Sequence, residues 1–114
     1  MKLKTFVKGF VSLGAIALAT PVQAQAPGIY YSWRSLTTDL TQCLVRSEAA
    51  LAETELAGIV ADGNSVSGRT ETATALFICL ENVEAVEEVT VMLIVSSDDE
   101  DAAIVLREAL KENF

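Results

Sequence analysis

Histidine is absent from this chain of 114 residues, and there are only two cysteines, two prolines and one tryptophan. Without histidine there is no Ser-His-Asp triad, and two isolated cysteines make a poor zinc ligand set. Neither a C-x-x-C redox pair, nor a G-x-S-x-G elbow, nor a lysine-containing phosphate loop occurs. We therefore expect a protein that is not an enzyme and has no catalytic residue, no cofactor and no metal site.

Long apolar runs are also scarce. The chain has one, and it lies near the first residue. Three lysines precede and border an apolar stretch over 9–22, and a small-x-small motif ends at Ala24. This pattern predicts a cleavable signal peptide over 1–24, cut between Ala24 and Gln25. Cleavage after Ala26 and an uncut anchor are the alternatives, but about 14 apolar residues fall short of the ~20 in a spanning helix. We expect a periplasmic or secreted protein with no stable membrane insertion after cleavage.

Basic residues are outnumbered: eight Lys and Arg face 16 Asp and Glu, for a net charge of −8. The predicted leader holds three of the basic residues and no acidic one, so the cleaved chain has five basic against 16 acidic residues, or −11. Such a charge repels nucleic acid and anionic membrane surfaces. We expect no nucleic-acid partner, and the charge is typical of a soluble exported protein.

The length that remains after the leader, about 90 residues, suits one small domain with a thin core. Residues 25–34 are an N-terminal extension or an edge strand, and residues 35–114 are a single α+β domain. Helical spacing of apolar residues predicts a first helix over 36–56, capped by Ser35 or Thr37 and ended by Gly58. The S-x-x-E capping box from Ser97 to Glu100 predicts the start of a second helix.

Three β-like segments lie between the helices, over 59–69, 72–80 and 86–96. Asp62-Gly63-Asn64 interrupts the first one and fits a hairpin tip or a bulge, and we interpret the segment as one interrupted strand. Short connections favour an antiparallel meander. The predicted fold is a two-layer α+β domain with a three-stranded sheet and two helices on one face, in the order (β)-α-β-β-β-α. An edge strand over 29–33 makes the sheet four-stranded.

The two cysteines fall where this fold brings them face to face. Cys43 lies on the apolar stripe of the first helix, and Cys79 lies near the end of the second strand. Export favours oxidation, and closing a loop of about 37 residues stabilises a fold by roughly 4 kcal/mol on the chain-entropy model. We predict a structural disulfide. Two buried thiols, a redox couple and metal ligation are the alternatives.

If Cys79 faces the helices, strand alternation directs Phe77 inward and Leu76 and Ile78 outward. The outer side is then apolar, whereas a sheet covered on one side normally has polar residues on its open side. We therefore predict an interaction surface covered by a second protomer, by a partner protein or by the segment 30–33 folded back. Its candidate residues are Leu76, Ile78, Leu80, Met92, Ile94, Tyr30, Tyr31 and Trp33.

Our first functional hypothesis is a non-enzymatic exported interaction domain that uses this surface. The alternative is a small-ligand or cation-binding exported protein. The aromatic residues over 30–33 could stack on a sugar or a peptide beside Arg34, and the acidic run Asp98–Asp101 could bind a cation. That run lacks EF-hand spacing, and its position at a helix start already explains its charge.

Three short segments carry a resemblance, namely the helix cysteine region over 43–51, the G-N-x-V-x-G turn over 63–68 and the strand cysteine region over 77–79. They resemble a loose group of small uncharacterised exported bacterial α+β proteins with one helix cysteine and one strand cysteine. The similarity covers most of the predicted mature domain. It implies the disulfide and the layered fold, and it implies no activity or catalytic residue.

Overall fold

A computed structural model describes residues 26–85 and 87–114. The predicted signal peptide over 1–24, with its cleavage site between Ala24 and Gln25, lies outside the described residues. The elements in chain order are β1 (Gly28–Leu36), α1 (Leu40–Glu53), β2 (Ala57–Asp62), β3 (Ser65–Arg69), β4 (Ala73–Glu81), β5 (Val89–Ser97) and α2 (Glu100–Asn113).

The strands form one antiparallel sheet in the order β1-β5-β4-β3-β2. Strands β2 to β5 are a meander, and β1 pairs with the remaining side of β5. Helix α1 packs mainly on β3 and β4, and α2 packs mainly on β5 and β1. The predicted two-layer α+β class and element order are confirmed, although the sheet has five strands rather than three or four.

The prediction of one interrupted strand over 59–69 is wrong, because this segment is a hairpin. Asp62 pairs with Ser65 across a loop of Gly63 and Asn64, and Gly63 has a φ of 62°. A glycine with positive φ in a two-residue loop reverses the chain without a Cβ clash. A register shift between Ala57 and Val60 adds a bulge on the first arm. The segment therefore forms two paired strands where the sequence pattern suggests one.

The ends of α1 differ from the prediction because β1 takes part of the predicted helix. Leu36 is the last residue of β1, so neither Ser35 nor Thr37 caps α1. The carboxylate of Asp39 caps it instead, accepting a hydrogen bond from the Gln42 backbone N–H at 2.7 Å. At the other end, the left-handed residue after the helix is Glu55 (φ 64°), whereas Gly58 lies in β2.

The capping box predicted at Ser97 is also displaced. Ser97 is the last residue of β5, and its hydroxyl donates to the Thr72 carbonyl oxygen at 2.8 Å. Asp99 caps α2 by accepting a hydrogen bond from the Ala102 backbone N–H at 3.1 Å. The third predicted strand starts at Val89 rather than at residue 86. These shifts move element ends by two or three positions and leave the layers unchanged.

The core lies between the sheet and the two helices, and small residues let the layers approach closely. Ala50 of α1 and Ala75 of β4 are fully buried. Gly68 of β3 lies under Leu56. A Cβ at this position would come within 3.1 Å of the Leu56 Cβ, so the glycine allows the close contact. Phe77 of β4, Leu51 of α1 and Leu110 of α2 supply the largest buried side chains, so the sheet and both helices fill the core.

Cys43 and Cys79 form a disulfide that joins α1 to β4, and both are fully buried. The hydroxyl of Ser47, one turn further along α1, donates to the Cys43 carbonyl oxygen at 2.8 Å and lies 3.7 Å from the Cys79 sulfur. The predicted structural disulfide is confirmed over the thiol and metal alternatives. Such a bond fits an oxidising compartment.

Helices α1 and α2 have 14 residues each. Among the described residues, neither these nor any other helical segment has the length and apolar character needed to cross a bilayer.

Candidate functional site

Alternation along β4 and β5 separates two faces of the sheet. In β5, Val91 and Leu93 are buried under the helices, whereas Met92 and Ile94 point away from them and are half-buried. In β4, Phe77 is buried in the same way. We call the face turned away from the helices the outer face. The directions predicted along β4, with Phe77 inward and Leu76 and Ile78 outward, are confirmed.

The register of the sheet aligns apolar side chains across the outer face. Trp33 of β1 lies opposite Met92, which lies opposite Ile78. A second row runs from Tyr31 to Ile94 and Leu76. The outward residues of these three strands are Ile29, Tyr31, Trp33 and Ser35 of β1, Thr90, Met92, Ile94 and Ser96 of β5, and Thr74, Leu76, Ile78 and Leu80 of β4.

No outward residue of β1, β5 or β4 is charged, although 21% of the chain is Asp, Glu, Lys or Arg. The face becomes more polar toward the far edge of the sheet, where Ser65 and Ser67 of β3 lie beside Ile78 and Leu76. Its charged residues, Arg69 and Asp62, lie on β3 and β2 at that margin. The apolar area is therefore centred on the three strands that contain the predicted surface.

Exposure on the outer face is greatest at the edge strand. Ile29, Tyr31 and Trp33 are 68%, 60% and 63% exposed, whereas Met92 and Ile94 at the centre are half-buried by their neighbours. Aromatic side chains with this exposure offer large contact areas. Most of the apolar surface that a partner can reach therefore lies on β1.

Tyr30 does not belong to this surface. It lies opposite Val95 on the helix-covered face, where it packs against the core. The expectation that the segment 30–33 folds back over the outer face is wrong, because β1 pairs with β5 in the plane of the sheet. The segment thus extends the outer face, and the other predicted residues of the surface lie on that face.

On the helix side, basic side chains surround Phe114. The Phe114 ring stacks on Phe77 with centroids 5.2 Å apart. Arg46 donates to the Phe114 carbonyl oxygen from Nε and Nη2 at 3.2 and 2.7 Å, and its guanidinium lies 4.5 Å from the ring centroid. The Arg34 guanidinium lies 5.5 Å from the same centroid. Sequence reasoning missed this cluster of arginines around Phe114, although the helical spacing of Ala103, Leu106, Leu110 and Phe114 indicates a core position for the phenylalanine.

The crevice beside Phe114 is too small to be the aromatic ligand site of the alternative hypothesis. It holds about 50 Å³ between β1, β5 and the end of α2, whereas ligand pockets are typically ~300 Å³ or more. Arg34 points toward Phe114, while Tyr31 and Trp33 point to the outer face. The aromatic residues and the arginine therefore do not converge on one molecule.

The acidic run Asp98–Asp101 starts α2. Asp99 is the N-cap, and Glu100 and Asp101 lie in the first turn, where negative charge complements the helix dipole. Within residues 26–85 and 87–114, no three His, Cys, Asp or Glu side chains cluster as a metal site. Capping accounts for this run.

Comparison of the chain with protein-family models, with curated proteins and with solved structures gave no match. The resemblance to small exported bacterial proteins with two cysteines therefore stays a prediction, and the function must be argued from the geometry of the site.

Proposed function

We propose that this protein is a non-enzymatic exported interaction domain that binds another protein on the outer face of its sheet. The observation that supports this is the pair of fully apolar central rows across β1, β5 and β4, on a face where these three strands have no charged residue. A soluble protein seldom leaves a contiguous apolar patch of several hundred Å² in water unless the patch binds something.

The size of the outer face fits this role. Strands about 4.8 Å apart with a rise of about 3.3 Å per residue give the three apolar strands a projected area of roughly 430 Å² and the whole five-stranded face roughly 600 Å². A standard interface buries about 800 Å² on each partner. Tyr31 and Trp33 are the residue types that most often dominate binding energy when a partner buries them.

The surroundings of the face define the chemistry of the partner. Glu81, Glu84 and Glu87 lie at one end of the β4–β5 pair, and Glu71 and Asp98 lie at the other. An apolar centre with an acidic rim complements an apolar surface with a basic rim. We therefore expect a protein partner with basic residues around an apolar patch, whose binding weakens as salt concentration rises.

Export belongs to the same proposal. The leader pattern over 1–24 supports it, and the buried disulfide between Cys43 and Cys79 fits an oxidising compartment. The proposed location is the periplasm or the extracellular medium.

The test compares two apolar-to-lysine variants. Met92→Lys places a charge in the middle of the outer face, and Val105→Lys changes a residue of α2 that is 69% exposed on the helix side. Oxidised wild-type protein serves as bait in extracts of the exporting cell, and each captured protein is purified and titrated against all three forms. We expect Met92→Lys to weaken binding about tenfold or more, since it buries an unpaired charge at the interface.

Val105→Lys is expected to bind like the wild type, and thermal melting of both variants establishes that they fold. A captured protein that binds all three forms equally, or that loses affinity for both variants alike, contradicts the proposal.

A further inference from the structure

The two edges of the sheet differ in how they are protected against further pairing. β2 has six residues, and its pairing with β3 shifts between Ala57 and Val60. Short, bulged edges prevent another chain from adding a strand. β1 has nine residues in unbroken register with β5, and it contains no proline. β1 therefore keeps the regular geometry that an added strand needs.

The free edge of β1 also offers backbone groups for pairing. Within the part of the chain that the structure describes, no strand pairs with β1 on the side away from β5. An edge strand presents a row of N–H and C=O groups without strand partners. Arg107 Nη1 donates to the Tyr31 carbonyl oxygen at 3.4 Å, but a carbonyl oxygen accepts two hydrogen bonds. This contact leaves the edge available.

The charges along β1 indicate which kind of chain can pair with its free edge. All 16 acidic residues lie at or beyond Asp39, and Arg34 is the one charged residue over 26–38. Two copies of an acidic chain repel each other least where carboxylates are missing. β1 itself therefore brings no carboxylate against a second copy, and the Glu108 carboxylate of the neighbouring α2 is paired with Arg107.

We propose that two copies of this chain pair antiparallel through β1, with the twofold axis at Ser32, to form a continuous sheet with five strands from each copy. Ser32 is the middle residue of β1, so this register pairs all nine residues of both strands. An isologous contact of this kind is the commonest way for identical chains to form a closed dimer.

The same register makes the side chains complementary. Residues whose numbers add to 64 face each other, so Tyr31 lies opposite Trp33 of the second copy on the outer face, twice by symmetry. On the helix-covered face, Tyr30 lies opposite Arg34 of the second copy. Aromatic cross-strand pairs and cation–π contacts both stabilise such pairing. Shifting the axis to Tyr31 or Trp33 shortens the overlap and separates these pairs.

This inference goes beyond the proposed function, because it concerns the backbone edge of β1 and stands whether or not the outer face binds a partner. The pairing joins the outer faces of two copies side by side. Strand addition alone buries less surface than a standard interface, so we expect a dimer that dissociates on dilution.

The test uses two serines of β1 as a matched pair. Directly opposed residues in an antiparallel pair have Cα atoms about 4.5–5.5 Å apart, within the range of a disulfide. Ser32→Cys therefore places two thiols together at the axis. Ser35→Cys places them six residues apart along the strands, about 20 Å. Ser35 is exposed and Ser32 is half-buried, so random collisions would favour Ser35→Cys.

We expect mild oxidation to convert Ser32→Cys into a covalent dimer on a non-reducing gel and to leave Ser35→Cys monomeric. The native Cys43–Cys79 bond is shielded from exchange because both sulfurs are fully buried. Light scattering of the wild type should show a mass that doubles as concentration rises. Met92→Lys on the outer face should keep this behaviour.

A wild type that stays monomeric at every concentration overturns the inference, as does equal crosslinking of the two variants. A dimer that Met92→Lys abolishes and Ser32→Cys does not trap also overturns it, and places the contact on the outer face instead. That last result leaves the proposed function standing, so the two ideas fail separately.

Discussion

The two faces of this sheet come from the same strands, and both are apolar, yet the helices cover only one. On β4 the outer face is the bulkier one, with Leu76 and Ile78 outside and Ala73 and Ala75 inside. Hydrophobic content therefore does not distinguish the core face. The covered face of β4 instead combines two alanines with the large Phe77, and its Cys79 is bonded to α1.

The largest expected effect comes from removing the covalent link on the covered face. Cys43→Ser with Cys79→Ser opens a loop whose ends are 36 residues apart, and we expect the free energy of unfolding to fall by roughly 4 kcal/mol. Urea denaturation of the oxidised wild type and the double variant measures this loss. Ser47→Ala, which changes the neighbouring buried hydroxyl and keeps the disulfide, is the control. A loss no larger than that of Ser47→Ala contradicts the assigned role of the bond.

A smaller loss of stability is expected from truncating single side chains of β5, and its size should differ between the covered face and the outer face. Leu93 is 3% exposed under the helices, while its neighbour Ile94 is half-buried on the outer face. Leu93→Ala leaves a cavity in the core, and we expect it to destabilise the fold by about 3 kcal/mol, against about 1 kcal/mol for Ile94→Ala. Denaturation at low protein concentration measures both. Equal losses would mean that the outer face is as buried as the core.

The sequence predicts the facing of β4 because this strand is long and Cys79 fixes its orientation. Once Cys79 is placed inside, alternation assigns Leu76 and Ile78 to the outer face, as observed. Met92 and Ile94 lie beside them through the register of β5 against β4, which alternation along β5 alone does not contain. Alternation cannot place Tyr30 and Tyr31, which are adjacent and equally bulky. Their facing depends on the register of β1 against β5, a long-range contact that local patterns do not contain.

The wrong predictions of the hairpin over 57–69 and of the start of α1 also come from long-range contacts that local sequence patterns do not contain. Asp62-Gly63-Asn64 is compatible with a bulge and with a hairpin, and the pairing of β2 with β3 decides between them. Three residues near the start of α1 have side chains that can cap a helix, and Asp39 does so because Leu36 belongs to β1. Tertiary pairing, rather than propensity, fixed these positions.

The smallest effect concerns the exposed side of α2, which is an ordinary charged surface, in contrast to the outer face. Lys111 Nζ lies 3.3 Å from a Glu108 carboxylate oxygen, and this hydrogen bond, with Arg107 beside it, lowers the pKa of Glu108 below its ordinary value of 4.5. A lowered carboxyl pKa contributes stability that is full above the unfolded-state value and is lost as pH falls through the folded-state value. The contribution is small because all three side chains are partly exposed.

We therefore expect Glu108→Gln to lower the Tm slightly at neutral pH, by less than Ile94→Ala does, and to match the wild type at a pH well below 4.5. Circular dichroism melts across this pH range measure the difference. Glu112→Gln is the control. Glu112 lies on the same helix, and its side chain has no hydrogen bond or ion pair to the described residues, so we expect this variant to keep the wild-type Tm at every pH. If Glu108→Gln destabilised the fold as much as Leu93→Ala, the contrast would fail, because an exposed charge on the helix side would then matter as much as a core side chain.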